Sequence, residues 1–381
     1  MENLTFKNSV REETAIYFIS LDLNYYASNK YLTDLLLATK GLSTILALKY
    51  FKNKGIYENK LLSTNNYKII NAYYLPLERL PFGDTVSLRI NPLLLKITNH
   101  NYVKFLSMDS HIVHYTFPML PPISVGNTHV VTIHDLMSFD KSVMMTFLNR
   151  SNWQYSIKRY RKFPYIVTPT KYVKKQVELL GIFKGKITVI PHAVSQYFKP
   201  LPVDKKELRK KLELPLDKTL ILSVSTAQPR KNLRVVKEAV EKLGPDYALV
   251  RVGPPIGNSI TFTQVAPETL NMIYNASDVL LFPTLAEGFG YPAIEAMSTG
   301  LPVVTSNIDV MEEVCGNAAI YIEPTVKGSV NGVIEALSVA KELRNKGLEK
   351  AKEYSFGTFK QRYLDFYSKI LPGKIKITKN K

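Results

Sequence analysis

Two series of short β-branched and aromatic runs, each alternating with helix-spaced segments, dominate this chain. They are separated by a stretch rich in proline and charge at 197–218. The first series holds AIYFIS (15–20), KIINAYYL (68–75), HVVTIHD (129–135), YIVTPT (165–170) and KITVIP (186–191), all expected as strands. Between the last two, TKYVKKQVELLG (170–181) has a threonine cap, helical spacing and a closing glycine. The second series holds strands at TLILSVST (219–226), ALVRVG (248–253), DVLLFP (278–283), PVVTS (302–306) and AAIYIEP (318–324). Helices are expected over 232–244, 268–277 and 291–300, and through most of the tail at 328–371. Strands alternating with helices imply parallel sheets covered on both faces. The expected fold class is therefore α/β, with two Rossmann-like, doubly wound domains. The boundaries fall at 1–197, 198–355 and 356–381, the last being a final helix with a basic tail.

Composition sets the class of partner. Hydrophobic residues make up 45% and charged residues 22%, the balance of a globular chain with its own cores. The single cysteine, Cys315, forms no disulfide within the chain and no cysteine metal cluster, which suits a reducing compartment. No run of about 20 apolar residues is present, and the first fifteen residues lack the apolar core of a signal peptide. A cytoplasmic protein is expected. Fifty Lys and Arg against 32 Asp and Glu give a net charge of +18, which favours an anionic partner: nucleic acid, anionic membrane or phosphorylated ligand.

The segment FPTLAEGFGYPAIEAMSTGLPVV (282–304) narrows the choice. A strand ends at Phe282-Pro283, a loop carries Glu287, Gly288 and Gly290, and Pro292 opens a helix that contains Glu295. Such a loop lies at the carboxyl end of a strand, where open α/β sheets bind ligands. The helix start offers free N–H groups and partial positive charge, which suit a diphosphate. Carboxylates such as Glu287 and Glu295 accept hydrogen bonds from paired sugar hydroxyls.

At this point the chain resembles the retaining glycosyltransferases of the family-four type, which have the GT-B fold, two such domains facing each other across a cleft. EGFGYPAIE fits their E-x7-E pattern, and NASDVLLFPTLAEGFGYPAIEAMSTGLPVVTSN matches almost throughout. SVSTAQPRKNL resembles their phosphate-binding segment, VTIHDL their histidine motif, and TPTKYVKKQVELLGI with KITVIPHAV the approach to the hinge. The resemblance covers roughly 125–325. It implies that Arg230 and Lys231 neutralise the diphosphate of a UDP-, GDP- or ADP-sugar and that Glu295 binds the ribose hydroxyls. Glu287 would contact the donor sugar near its reacting carbon, and His134 would reach that sugar from the first domain. The amides of Phe289 and Gly290, with Gly288 and Tyr291 beside them, would hold sugar and phosphate. The TFTQV segment ending at Val265 would lie near the base. The final helix would cross back to the first domain. Transfer would retain anomeric configuration by front-side attack, with the leaving phosphate oxygen taking the acceptor's proton.

Several residues depart from the family pattern. SLDLNYYASNK (20–30) has no glycine where a glycine-rich loop usually follows the first strand. The basic residue that often precedes the PRKN element is absent, with Ser225 near its place. His192-Ala193-Val194 replaces the usual N-G-V, and the region after Gly253 is short. No D-x-D motif is present, and the six histidines show no zinc-type pairing with glutamate, so no metal and no cofactor are expected.

Other readings stay in view. A GT-B relative that epimerises or hydrolyses sugar nucleotides would share these motifs. A nucleic-acid binder would share the charge but lacks any RRM, zinc-finger or helix-turn-helix signature. The 151–186 segment carries nine Lys and Arg against Glu178, interleaved with aromatics such as Trp153, Tyr160 and Phe163. It is either a solvated basic face or a peripheral anchor on an anionic membrane that carries a lipid-linked acceptor.

Overall fold

The computed structural model describes residues 15–21, 26–49, 67–71, 100–118 and 122–375. The first lobe is built on β1 (Ile16–Leu21), β2 (Ser43–Lys49), β3 (Tyr67–Asn71), β4 (Ile112–Tyr115), β5 (His129–Thr132), β6 (Tyr165–Thr168) and β7 (Lys186–Val189). These pair in parallel in the order β3-β2-β1-β4-β5-β6-β7. The second lobe is built on β8 (Thr219–Val224), β9 (Tyr247–Val252), β10 (Ile260–Phe262), β11 (Val279–Phe282), β12 (Val303–Ser306) and β13 (Ile320–Ile322), ordered β10-β9-β8-β11-β12-β13. Both sheets run outward in two directions from a central pair, β1 beside β4 and β8 beside β11. That reversal of strand order opens a crevice at the carboxyl ends, the place where doubly wound sheets bind ligands. The chain thus has the GT-B architecture expected of it.

Local sequence explains the elements. In the helix Lys171–Leu180, Thr170 Oγ1 accepts from Val173 N at 3.2 Å, Gly181 closes the last turn at φ 65°, and Val173 and Val177 face the core. The helix Leu233–Leu243 buries Val235, Val236, Ala239 and Val240 along one stripe. In the proline-rich stretch, Asp204 caps the helix Lys205–Lys211. That helix is pinned to the second lobe where Asp278 meets Arg209 at 2.6 Å and Lys205 at 2.9 Å.

Several strands are shorter than their apolar runs. β5 stops at Thr132, and His134-Asp135 leave the ladder because Asp135 Oδ1 takes the Met137 amide at 3.1 Å. β3 ends at Asn71, and 72–75 lie outside the described residues. After Gly253 no helix intervenes, and the chain passes straight into the edge strand β10.

The tail forms three helices, of which Phe356–Ile370 packs on the first lobe. Its Phe359, Tyr363 and Tyr367 join Ile16 and Phe18 of β1 and Tyr31, Leu32 and Leu35 of the helix Tyr26–Ala38 in one core cluster. A buried polar chain ties the layers together. His114 bridges Tyr367 OH at 2.6 Å and Thr132 Oγ1 at 2.8 Å, and Tyr31 OH bonds to Thr132 at 2.7 Å and to Tyr363 OH. His114 is therefore a packing residue, and Cys315 is a buried thiol.

Candidate active site between the lobes

The loops that follow β8 and β11 meet at the second sheet's reversal point. After β8 the chain makes a single 3-10 turn, Pro229–Lys231. Its Arg230 carbonyl accepts from Leu285 N at 2.7 Å, which fastens the two loops together. Lys231 Nζ donates to Glu287, Arg230 lies 3.0 Å from the same carboxylate oxygen, and Thr284 Oγ1 donates to it at 2.9 Å. Arg230 also donates to the Ala286 carbonyl at 2.9 Å. Burial alone would push the Glu287 carboxyl up, but Lys231 and Arg230 outweigh it and hold it below the usual carboxylate range. Glu287 is thus an ionised group in a buried setting. Two cations stand around this one carboxylate, with Asp135 of the facing lobe acting on Lys231 from farther off, and a diphosphate would find both cations already in place.

The helix Tyr291–Thr299 begins beside this cluster. Gly290, at φ 92°, is its N-cap and supplies no side chain to the first turn; Pro292 has no N–H, and Ala293 N donates to the Gly290 carbonyl at 3.1 Å. A Cβ on Gly290 would also lie 2.9 Å from Met311 Sδ. Phe289 is buried under the turn, edge-on to His192 at 4.9 Å and to Tyr291 at 5.2 Å. One turn into the helix, Glu295 receives Tyr274 OH at 2.9 Å on one oxygen and faces Lys30 Nζ at 3.4 Å on the other. Burial raises the Glu295 carboxyl, and Lys30 and Tyr274 oppose that rise without cancelling it.

The lobes touch at named atoms. A Cβ on Gly288 would sit 2.1 Å from the His134 carbonyl oxygen, so this glycine permits the approach of the two loops. Thr170 Oγ1 donates to the Gly288 carbonyl at 3.1 Å. His134 Nε2 lies 2.8 Å from the Thr116 carbonyl, which only accepts, and His134 Nδ1 lies 3.1 Å from His192 Nε2. In the neutral tautomer His192 therefore donates to His134. Burial lowers both imidazoles, consistent with two neutral rings. His192 in turn stacks on Tyr291, with centroids 5.3 Å apart and planes 4° apart.

The structure thus gathers Arg230, Lys231, Glu287, Gly288, Phe289, Gly290, Tyr291 and Glu295 along one crevice. The His134 backbone stands against Gly288, while its ring turns toward Thr116 and His192. Val265, just after β10, packs half-buried on the second-lobe core.

Lys30, Tyr274, Thr284 and Arg251 join the site with no motif to mark them, while His192 stands where the usual N-G-V begins. Arg251 had a visible signal, a cation inside the apolar run ALVRVG. It is fully buried and donates to the carbonyls of Ser223 at 2.9 Å, Val252 at 2.8 Å and Ser225, close to where the resemblance expects a basic residue. Among the described residues, no group of three or more His, Cys, Asp or Glu gathers as metal ligands could.

Residues 204–354 match the model of the family described as Glycosyl transferases group 1. The second lobe matches that family over these residues, and the chain is a glycosyltransferase. It is similar to the O-antigen chain mannosyltransferase RfbU of Salmonella typhimurium, at 26% identity over 271 residues, covering 65% of this chain and 70% of that protein. Among solved structures it is similar in fold to sucrose-phosphate synthase from Thermosynechococcus elongatus, with TM-score 0.74, 17% identity, and 94% and 99% of the two chains covered. Anabaena HepE, solved with UDP and glucose, gives TM-score 0.71 and 14% identity, covering 93% and 99%. The glycosyltransferase sits on a fold whose second crevice carries all the described cation–carboxylate contacts of the site.

Proposed function

We propose that this glycosyltransferase moves a sugar from a nucleoside-diphosphate sugar to a hydroxyl of a glycan or lipid-linked acceptor, with retention of configuration and without a metal ion. The observation that carries the reading is the Arg230–Lys231–Glu287 cluster beside the glycine-bearing loop that starts the helix Tyr291–Thr299. A leaving diphosphate gains negative charge as the glycosidic bond breaks. Lys231, Arg230 and the helix amides would meet that charge from groups already held in place. Glu295 would accept the ribose hydroxyls. Glu287, ionised and fixed by three donors, would orient the sugar and stabilise positive charge at its anomeric carbon. The departing phosphate oxygen would take the proton of the incoming hydroxyl on the same face. Buried aromatic walls from Phe289 and Tyr291, with the His134 backbone opposite, would limit water in the closed crevice.

The test is a thermal-shift panel of UDP-, GDP- and ADP-sugars followed by product analysis. A mannosyl nucleotide is the first donor to try, since RfbU is described as a mannosyltransferase. Transfer to an acceptor with the donor's anomeric configuration, undiminished by a chelator, supports the proposal. Inversion, chelator loss, or epimerisation and hydrolysis without transfer would count against its respective parts.

Peripheral attachment to an anionic membrane belongs to the same proposal. Lys158, Arg159, Arg161, Lys162, Lys171, Lys175, Lys184 and Lys186 are exposed, and the neighbouring Phe147 is 82% exposed. The interleaved aromatics Tyr160 and Phe163 are fully buried, so the charges rather than those rings would make the contact. No described helix is long and apolar enough to cross a membrane. Co-sedimentation with vesicles that is independent of anionic lipid would remove this element.

A further inference from the structure

We propose that Lys30, carried by the first lobe, is a positioning residue for the donor: it pairs across the cleft with Glu295 and readies that carboxylate for ribose only while the lobes are closed. This rests on the reading of Glu295 as the ribose-binding group. The helix Tyr26–Ala38 belongs to the first lobe, where Tyr31, Leu32 and Leu35 are locked into its core. Lys30, one residue before that anchor, sends its ammonium out to the second lobe. It stands 3.4 Å from Glu295 Oε1 and 4.2 Å above the Tyr291 ring, with the Phe198 ring at 5.7 Å. Its side chain is 12% exposed, so the charge is held between lobes rather than in solvent.

The pairing has a chemical purpose. An ionised carboxylate offers about four acceptor positions. Tyr274 and Lys30 occupy one on each oxygen, which leaves room for a vicinal diol. A protonated carboxyl would spend one oxygen as a donor and accept the hydroxyls more weakly. Burial drives Glu295 toward protonation, and Lys30 is the foremost group opposing it. The other charged or titratable neighbours do not replace it. Tyr274 donates but carries no charge, and Tyr291 packs beneath the ammonium. His192, stacked on Tyr291, is held neutral by burial. Asp34, one helical turn after Lys30, is pushed up to about 7 by burial, and its Oδ2 has no partner among the described residues. The ammonium also eases the Asp34 carboxyl downward from a distance, but its ion pair is with Glu295. Opening the cleft would withdraw Lys30 and leave Glu295 with Tyr274 alone. By linkage, a donor that uses ionised Glu295 favours closure. The lysine thus supplies from the first lobe an interlobe contact in a region where the glycine-rich loop is absent from the sequence.

The experiment is calorimetric titration of the full chain with UDP, GDP and ADP from pH 5.5 to 9, using the tightest binder, for the wild type, Lys30→Met and Lys30→Arg. Lys30→Met should weaken binding about tenfold at pH 7, one pKa unit's worth of carboxylate charge. The loss should shrink toward pH 9 as Glu295 ionises unaided, and Lys30→Arg should stay within about threefold of wild type. Thermal melts of each variant establish folding, and Glu295→Gln provides a second arm in which adding Lys30→Met costs nothing further. Unchanged affinity in Lys30→Met, or a loss of the same size at every pH, overturns the proposal. Failure of the parent reading looks different: Glu295→Gln would leave nucleotide affinity intact, or no nucleoside diphosphate would bind the wild type, and either result takes this proposal with it.

Discussion

Glu313 of the second lobe caps a helix of the first at Lys171: its two carboxylate oxygens accept the Lys171 amide at 2.7 Å and the Tyr172 amide at 2.9 Å. Thr170 caps the same helix end from its own lobe through Val173 N. The positive end of the helix Lys171–Leu180 is therefore satisfied jointly, and half of its caps vanish if the cleft opens. Glu313→Ala should cost about 1 kcal/mol of the closed state. Small-angle scattering should show a larger radius of gyration in the unliganded variant, restored by donor. An unchanged radius would mean that this contact does not hold the lobes together.

Glu287→Ala should cut turnover by about a hundredfold or more, the scale of losing one preorganised electrostatic group. Nucleotide affinity should hold, because the diphosphate contacts are assigned to Arg230, Lys231 and the helix amides. Steady-state kinetics beside calorimetry separates the two, and normal turnover would refute the assignment.

Lys231→Ala strips a buried carboxylate of its main partner, and breaking such a pair costs about 3 to 5 kcal/mol of stability. The double variant Lys231→Met with Glu287→Gln removes both charges and should recover most of that loss in a denaturant melt. Its affinity for nucleoside diphosphate should remain low, since the cation is still gone. Recovery of binding along with stability would show that Lys231 serves only Glu287.

Glu295→Ala should abolish the preference for ribo- over deoxyribonucleoside diphosphates. A hydrogen bond to a charged group contributes about 1.5 to 3 kcal/mol, so the wild-type preference should be tenfold or greater. Competition titration with matched pairs gives the ratio. A preference retained in the variant would move the ribose elsewhere.

Acid should destabilise the protein between pH 6.5 and about 5. Burial lowers His111 and His129 to about 4 and His114 to about 3, and lowers His134 and His192 as well. In that window the unfolded chain binds protons at His111, His114 and His129 that the folded chain leaves neutral, and the lowered His134 and His192 act in the same direction, so stability falls as pH falls. Two groups oppose this. Asp34, raised to about 7, and Glu295, also raised, bind protons in the folded state first. Five against two leaves the histidines ahead. The melting temperature should drop from pH 7 to pH 5, and a rise would refute the balance.

The elements that sequence shows best are those set by local spacing. Thr170, Gly181 and the valine stripe between them dictate a helix on their own, and Val235, Val236, Ala239 and Val240 do the same. The Glu287–Glu295 segment was equally legible because strand end, glycines and Pro292 sit within one short run. What stayed hidden depends on contacts between distant residues. Lys30 and Glu295 are 265 positions apart, and nothing in SLDLNYYASNK marks its lysine as a partner for the second lobe. The same holds for Gly288, whose glycine serves the His134 carbonyl as well as any ligand. In the 151–186 segment, charge and aromatics look like one surface in sequence, but packing sends Tyr160 and Phe163 inward and leaves the cations outside.

The helix Phe356–Ile370 carries a consequence for how the molecule comes into being. Tyr363 and Tyr367 are fully enclosed against β1 and supply partners to Tyr31 and His114. Tyr363 stands 332 positions after Tyr31, so a ribosome adds these tyrosines long after β1 and its helix. The nascent first lobe must therefore wait, with an apolar flank uncovered and a histidine lacking its hydroxyl, until the helix Phe356–Ile370 has been made. The later half, whose sheet holds all its strands between 219 and 322, is free to settle earlier. Assembly would run against the direction of synthesis, and removing the turns of the helix Phe356–Ile370 would injure the distant first lobe.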